Sequence, residues 1–253
     1  MNSIKPSPTF AMVAKAAAMM AEGKDVVSLS AGEPDYDTPQ WIKEAATQAM
    51  ANGQTKYTQV GGTVALKQAI AEKLQKDNGL IYTPEQIMAS TGGKQVIFNA
   101  LMATVSAGDE VIIPAPYWVS YPDIVCLLEG IPVFITCSIE NQFKLQAEQL
   151  AKAITPKTKW LILNSPSNPT GCVYSADELH SLAEVLRDHP HVNILTDDIY
   201  EYLVYDGKIF TNILNVAPDL ADRTLVVNGV SKAYSMTGWR IGYGADPSTL
   251  FKP

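Results

Sequence analysis

The chain has 253 residues, of which 47% are hydrophobic and 18% are charged, a composition typical of a globular protein rather than a disordered chain. With 19 basic and 26 acidic residues the net charge is −7, which argues against general binding of nucleic acid or of anionic membrane surfaces. No apolar run approaches the roughly 18 residues of a membrane span. We expect no signal peptide, because Lys15 interrupts the apolar run 11–21. Three cysteines without a CxxC pair favour reduced thiols and a cytoplasmic protein.

The predicted elements begin with helices and continue with recurring strands. Apolar periodicity predicts helices over 11–21, 41–51 and 64–77. Short apolar segments then predict strands over 87–91, 111–114, 133–137, 160–164, 192–196, 224–228 and 240–244. Helical stretches are predicted between several of them, notably 95–105, 176–188 and the segment after Lys232. This alternation indicates an α/β fold with a mostly parallel sheet covered on both faces, in which ligands bind beyond the carboxyl ends of the strands.

Two segments with aromatic residues are candidate parts of such a site. Tyr57 lies in a loop marked by Gly61 and Gly62, from which its hydroxyl could reach a phosphate. Trp118 follows the second strand, where an indole could stack on a planar ring. Ordinary packing is the alternative for both residues. The three histidines recruit no further ligands at metal-binding spacing, so no metal site is predicted.

The first strand runs directly into a helix through Gly92, Gly93 and Lys94. Glycines at this position let the backbone approach a ligand, and the free N–H groups of the first helical turn favour a phosphate. A glycine pair required only by the geometry of the turn is the competing interpretation.

The fourth and fifth strands also end in polar residues. Asn168 stands in the stiff turn SPSNPTG, which could hold its amide in a fixed direction. Asp197 follows the fifth strand, where a carboxylate in a site without water needs a cation such as a protonated pyridine nitrogen. Tyr200, three residues later, could bond to the phenolic oxygen of the same ring. The alternative is that Asp197 and Asp198 cap the next segment.

Lys232 follows the sixth strand among small residues, and Arg240 follows it in the run SKAYSMTGWRIGYG. A desolvated lysine amine can form a Schiff base with a carbonyl, and a guanidinium is suited to hold a phosphate. Together they point to pyridoxal 5′-phosphate, which carries an aldehyde and a phosphate on one ring. A surface lysine and an arginine at a helix end are the plainer interpretation.

The ordered set of motifs resembles the class I aminotransferases, fold-type I enzymes that use pyridoxal 5′-phosphate, and is most similar to the bacterial aspartate aminotransferase branch. It runs through the whole chain: Lys5-Pro6-Ser7, SAGEPDYDTP, KYTQVGG, GGKQ, PYWVSYP, NSPSNPTG, TDDIYE and SKAYSMTGWRIGYG. The resemblance implies a mixed, mostly parallel seven-stranded sheet sandwiched by helices. It also implies transamination between aspartate, or a related amino acid, and a 2-oxo acid such as 2-oxoglutarate in a cytoplasmic homodimer.

For the cofactor, the resemblance implies that Lys232 forms the Schiff base and moves the proton, that Asp197 pairs with the pyridinium nitrogen, and that Tyr200 and Asn168 bond to the phenolic oxygen. The other residues implied to bind the cofactor are Trp118 on the ring, Gly92, Gly93, Lys94 and Arg240 around the phosphate, and Tyr57 from the neighbouring subunit.

For the substrate, the resemblance implies contacts with Gly32, Lys94, Trp118 and Asn168. Gly32 would touch the substrate carboxylate through its backbone, and Lys94 would recognise a side-chain carboxylate. This last role favours aspartate and glutamate as substrates.

The resemblance also implies a domain division. Residues 1–35 would contribute to a small domain, and residues 36–253 would form the large cofactor-binding domain. Family members continue past Gly244 with the rest of the small domain and an arginine for the substrate α-carboxylate. None of Arg187, Arg223 and Arg240 matches that arginine, so we expect this chain to be the cofactor-binding portion of a longer enzyme.

Other functions stay open at this point. One is an enzyme of the same fold with another substrate, such as an aromatic or alanine aminotransferase or a carbon–sulfur lyase. Another is a cofactor-binding fragment without activity, and a third is a non-catalytic module of a regulator. The acidic charge and the absence of a basic segment before the first helix disfavour the regulator.

Overall fold

The structure, a computed structural model, describes residues 8–246. Its strands form one seven-stranded sheet in the order β1-β7-β6-β5-β4-β2-β3. The strands are β1 Ile87–Ser90, β2 Glu110–Ala115, β3 Ile131–Thr136, β4 Thr158–Asn164, β5 Asn193–Asp197, β6 Thr224–Gly229 and β7 Gly242–Ala245. All strands run parallel except β7, which is antiparallel to its neighbours β1 and β6. The predicted mixed, mostly parallel sheet of seven strands is confirmed.

Helices connect and cover the strands. They are α1 Pro8–Ala21, α2 Gln40–Ala51, α3 Val64–Asn78, α4 Gly93–Thr104, α5 Ser120–Leu127, α6 Ala147–Ala153, α7 Ala176–Arg187 and α8 Ile213–Val216. Short 3₁₀ helices span Pro84–Gln86, Pro218–Arg223 and Thr237–Trp239. In the part of the chain that the structure describes, no helix is long and apolar enough to cross a membrane.

The hydrophobic core has two layers, one on each face of the sheet. Successive residues of β4 alternate between them: Leu161 and Leu163 pack in the layer that includes α3 and α7, whereas Trp160 and Ile162 pack in the layer of α4 and α5. This alternation follows from the period of two in a strand. A sheet buried on both faces exposes only its strand ends and edges, so polar residues that follow the strands gather at one end.

Local signals explain where the helices begin. In α7, Ser175 Oγ accepts from the Glu178 N–H at 3.3 Å, and Glu178 Oε2 accepts from the Ser175 N–H at 2.7 Å. This capping box satisfies two backbone donors, and the buried residues at 179, 182, 183 and 186 then face the sheet.

The predicted helix after Lys232 is wrong. Residues 231–235 form turns, and only Thr237–Trp239 is helical, as a 3₁₀ turn. Because β7 returns antiparallel to β6, no crossover helix is needed between them. Ser235 and Arg240 also have positive φ angles of 50° and 55°, which a right-handed helix does not contain.

Candidate active site

Several of the predicted site residues follow the carboxyl ends of strands, from the edge strand β1 to β4 near the other side of the sheet. Gly92 to Lys94 follow β1 and open α4, while Asn168 follows β4. Asp197 closes β5, and Lys232 follows β6. Strands distant in sequence therefore bring their terminal residues to one cleft, as expected for the carboxyl ends of a parallel sheet.

Gly92 and Arg240 form a cup at the N-terminus of α4. Gly92 has a φ of 82°, and a Cβ built on it would lie 2.9 Å from Cζ of Arg240 and closer still to Nη2. The Arg240 side chain is held by a 2.7 Å bond from Nη1 to the carbonyl of Thr237. The guanidinium thus lies against the glycine backbone, next to helical N–H groups that have no partner within α4. This combination is suited to a phosphate.

Lys232 lies close enough to Arg240 to feel its charge. Its side chain is half-buried, and Nζ donates to the backbone carbonyl of Gly32 and lies 5.9 Å from the centre of the Tyr200 ring. Burial lowers the pKa of the Lys232 amine, Arg240 lowers it further, and Glu33 opposes both. A lysine with a lowered pKa has a larger neutral fraction and is a better nucleophile and base at neutral pH.

Asp197 is a buried carboxylate at the bottom of the cleft. Its Oδ2 accepts from the Tyr121 hydroxyl at 2.7 Å, and its Oδ1 accepts from the Ile199 N–H at 3.4 Å. Burial raises the pKa of Asp197 to about 6, although both hydrogen bonds act to lower it. Both donors are neutral, so a cationic ligand atom would find an unpaired negative charge here.

Two asparagines connect Asp197 to Tyr200. Asn164 donates from Nδ2 to the Asp197 carbonyl at 2.8 Å and accepts from the Asn168 N–H at 2.7 Å. Asn168 Nδ2 then donates to the Tyr200 hydroxyl at 3.3 Å. Burial, followed by the nearby Asp197 charge, raises the pKa of Tyr200, so its hydroxyl keeps its proton. The Asn168 amide and the Tyr200 hydroxyl are therefore fixed side by side.

Trp118 forms a wall of the cleft. Its half-buried ring stands edge-on to Tyr121, with centroids 5.3 Å apart and an interplanar angle of 87°. The Lys94 amine lies 4.9 Å from the centre of the Trp118 ring. Burial and the nearby Arg240 lower the pKa of Lys94. The wall therefore combines an aromatic face with a cation.

The structure brings Gly32 into the cluster but not Tyr57. Gly32 is linked through its carbonyl to Lys232. The Tyr57 side chain is 107% exposed, so the cluster forms without it.

Asp198 is not a helix cap. It is buried and accepts from Thr196 Oγ1 and Asn212 Nδ2, each at 2.6 Å. The interpretation of Asp198 as a cap is therefore wrong, because its carboxylate anchors the chain internally.

Sequence reasoning did not identify Tyr121 and Asn164. Both stand inside motifs that were recognised, PYWVSYP and NSPSNPTG, beside residues that were selected. Their contacts with Asp197 join β5 to helix α5 and to the end of β4, and no single segment reveals this packing. Among residues 8–246, no group of three His, Cys, Asp or Glu side chains is arranged to hold a metal ion.

Comparison with known proteins identifies the family. Residues 24–251 match the family model described as aminotransferase class I and II. This chain belongs to the class I and II aminotransferases. Aminotransferases of this class use pyridoxal 5′-phosphate, and the glycine–arginine cup, the buried unpaired carboxylate and the half-buried lysine fit the phosphate, ring nitrogen and aldehyde of that group.

Curated aminotransferases resemble the chain along nearly its whole length. A probable aspartate/prephenate aminotransferase of Rickettsia bellii is 60% identical over 252 residues, covering 100% of this chain and 63% of the relative. The aspartate/prephenate aminotransferase of Nitrosomonas europaea is 58% identical, covering 98% of this chain and 63% of the relative. The chain thus spans about 63% of the length of these relatives.

Solved aminotransferases share the fold. The aspartate aminotransferase from Rhizobium meliloti superposes with a TM-score of 0.95 at 55% identity, covering 99% of this chain and 63% of that protein. The Thermus thermophilus aspartate aminotransferase with maleate gives 0.94 at 45% identity, covering 99% and 64%. The chain therefore has the fold of the fold-type I aminotransferases.

Proposed function

We propose that the protein transfers the amino group of aspartate, or of a related amino acid, to a 2-oxo acid. The observation that carries this proposal is the half-buried Lys232 amine, which lies 5.9 Å from the Tyr200 ring and whose pKa is lowered by burial and by Arg240 of the cup. The names of the relatives support aspartate as donor and add prephenate to 2-oxoglutarate as a candidate acceptor.

When bound, pyridoxal 5′-phosphate supplies an aldehyde that joins amino groups and a ring that accepts electrons. Lys232 would hold the aldehyde through Nζ. When it is not bonded, Nζ would act as a general base for the proton on the substrate α-carbon. Its lowered pKa favours the neutral form required for both tasks.

Asp197, Tyr200 and Asn168 hold the ring in the proposed site. Asp197 binds the ring nitrogen and keeps a proton on it, since the pair of opposite charges removes the cost of the buried carboxylate. The Tyr200 hydroxyl and Asn168 amide, already bonded at 3.3 Å, bind the phenolic oxygen together. Trp118 covers the ring and excludes water.

The cup binds the phosphate. Arg240, Gly92, Gly93 and the first turn of α4 provide charge and N–H donors in this proposal, and Lys94 adds a second cation. Gly32 binds the substrate carboxylate through its backbone, and Lys94, Trp118 and Asn168 also contact the substrate.

The assembly and location are further parts of the proposal. We infer a cytoplasmic homodimer in which Tyr57 of one subunit completes the phosphate site of the other, supported by its full exposure. Cys126, Cys137 and Cys172 are unpaired, as expected in a reducing compartment. We also propose that residues 1–35 contribute to a small domain and that residues 36–253 form the large domain; the outer ends of these ranges, 1–7 and 247–253, lie outside the described residues.

The test is the absorption spectrum of the purified protein with pyridoxal 5′-phosphate, before and after aspartate is added without a keto acid. Aspartate should change the visible band, and 2-oxoglutarate or prephenate should then restore it. Alanine, aromatic amino acids and cysteine conjugates distinguish the alternative substrates. A band that forms but does not respond to any donor would show that this chain only holds the cofactor.

A further inference from the structure

A buried acidic residue directly after the site has no role in the proposed chemistry. Glu201 is 6% exposed, and its carboxylate accepts hydrogen bonds from three side chains. Lys73 and Asn228 donate to Oε1, the latter at 2.8 Å, and Asn78 donates to Oε2 at 2.6 Å. Lys73 also donates to Asn78 Oδ1 at 2.7 Å.

This network joins three separate elements. Lys73 and Asn78 belong to the end of α3, Asn228 to β6, and Glu201 to the turn after β5. Burying an ion pair gives little net stability compared with apolar packing, because both charges lose their hydration. A satisfied buried network does, however, fix the geometry of the elements that it connects.

Two of these elements carry proposed site residues. Glu201 is adjacent to Tyr200, and its N–H donates to the Asp198 carbonyl at 2.9 Å, which closes the turn. Asn228 precedes Lys232 in the same connection, and its Oδ1 accepts from the Gly229 N–H at 2.7 Å. The Glu201 carboxylate therefore ties the turn bearing Tyr200 to the strand that leads to Lys232.

We infer that Glu201 is a positioning residue: through Asn228 and Lys73, its carboxylate holds Tyr200 in place relative to Lys232. This inference rests on the proposed function, because it assumes that Tyr200 acts on the bound cofactor. In Glu201→Gln, the side-chain NH₂ faces donors that the carboxylate had satisfied, so the turn must shift.

The experiment measures the visible absorption of the protein loaded with pyridoxal 5′-phosphate as a function of pH. The quantity compared between variants is the midpoint, the pH at which half of the absorbance change has occurred. Tyr200→Phe serves as the reference, because it removes the hydroxyl itself. We expect Glu201→Gln to move the midpoint in the same direction as Tyr200→Phe, by roughly half a pH unit or more, as for a lost hydrogen bond near a titrating group. Glu178→Gln is the matched control, since it breaks the ion pair between Glu178 of α7 and Lys144, which precedes α6, without touching the site; its midpoint should equal that of the unaltered protein.

Two other outcomes would overturn the inference. A midpoint that moves in Tyr200→Phe but stays in Glu201→Gln would make Glu201 purely structural and overturn the inference. A midpoint that stays in Tyr200→Phe as well would overturn the proposed role of Tyr200 and this inference with it. If Glu201→Gln fails to fold, Lys73→Gln keeps a donor beside Glu201 while removing the charge. It must then shift the midpoint in the same direction, or the inference is wrong.

Discussion

At the scale of the residue, the protonation of individual side chains in this site depends on whether a charged ligand is bound. Asp197 is the clearest case, because burial raises its pKa to about 6 from an ordinary value of 3.8 while only neutral groups bond to it. Without a bound cation, the folded chain therefore takes up a proton more readily than the unfolded chain. The stability from this proton is fully present below the unfolded pKa and is lost as the pH rises through about 6.

Asp197→Asn removes this dependence. Without cofactor, the substitution should stabilise the protein at pH 8 by about 3 kcal/mol and have little effect at pH 4, where the unaltered carboxyl is protonated. Thermal unfolding at both pH values, followed by calorimetry, measures the difference. Equal effects at the two pH values would contradict the shifted pKa. With pyridoxal 5′-phosphate present, the same substitution should weaken binding.

Lys232→Ala tests the attachment of the cofactor. After borohydride reduction, the unaltered protein should retain one cofactor mass, because the reduced bond to Nζ is stable, whereas Lys232→Ala should retain none. Intact-mass spectrometry gives the answer. The exposed Lys208 is the control, and Lys208→Ala should keep the adduct. An adduct that persists in Lys232→Ala would place the reactive amine elsewhere.

The sequence predicts an element well when the signal lies in its own residues. It predicts an element poorly when the structure depends on how that segment packs against distant parts of the chain. Each strand was found because apolar runs bounded by polar or glycine residues identify buried strands. The helix after Lys232 was predicted wrongly, since the segment has helix-compatible residues and the antiparallel return of β7 is invisible in sequence. In the site, Asp197 and Lys232 were found at strand ends, but Tyr121 was missed because it reaches Asp197 from helix α5, 76 residues away in sequence.

Strand β7 packs closely against the start of α4 at Gly242. A Cβ built there would lie 2.8 Å from the Gly93 Cα and closer to the Gly93 amide, so any side chain would force β7 away from the start of α4. Gly242→Ala should lower the free energy of unfolding by about 3 kcal/mol or more. Chemical denaturation measures this. Gly238→Ala, where nothing lies within 4 Å, should change it by less than about 1 kcal/mol. Similar losses in both variants would refute the steric argument.

At the scale of the whole molecule, one proposed site residue is fully exposed in this chain, as expected if it acts in a neighbouring subunit. Tyr57 is fully exposed, so Tyr57→Phe should leave stability unchanged within about 0.5 kcal/mol. Its affinity for pyridoxal 5′-phosphate should nevertheless fall about tenfold, as for a lost bond to a charged group. This loss is measured by equilibrium titration with pyridoxal 5′-phosphate, at protein concentrations above and below the dissociation constant of the dimer. The difference should vanish in monomers, and a loss that persists there would mean that Tyr57 acts within its own chain.

The position of β7 also affects the order in which the chain can fold. β1, near the start of the sheet in sequence, has β7 as its neighbour, and the residue pairs run from Ile87–Ala245 to Ser90–Gly242. The cup is therefore bounded by the beginning and the end of the sheet-forming sequence. A nascent chain cannot build it until β7 has left the ribosome, because the cup needs Gly92, which follows β1, together with Arg240, which precedes β7. Contacts so distant in sequence form slowly, so cofactor capture should follow the synthesis and pairing of β7.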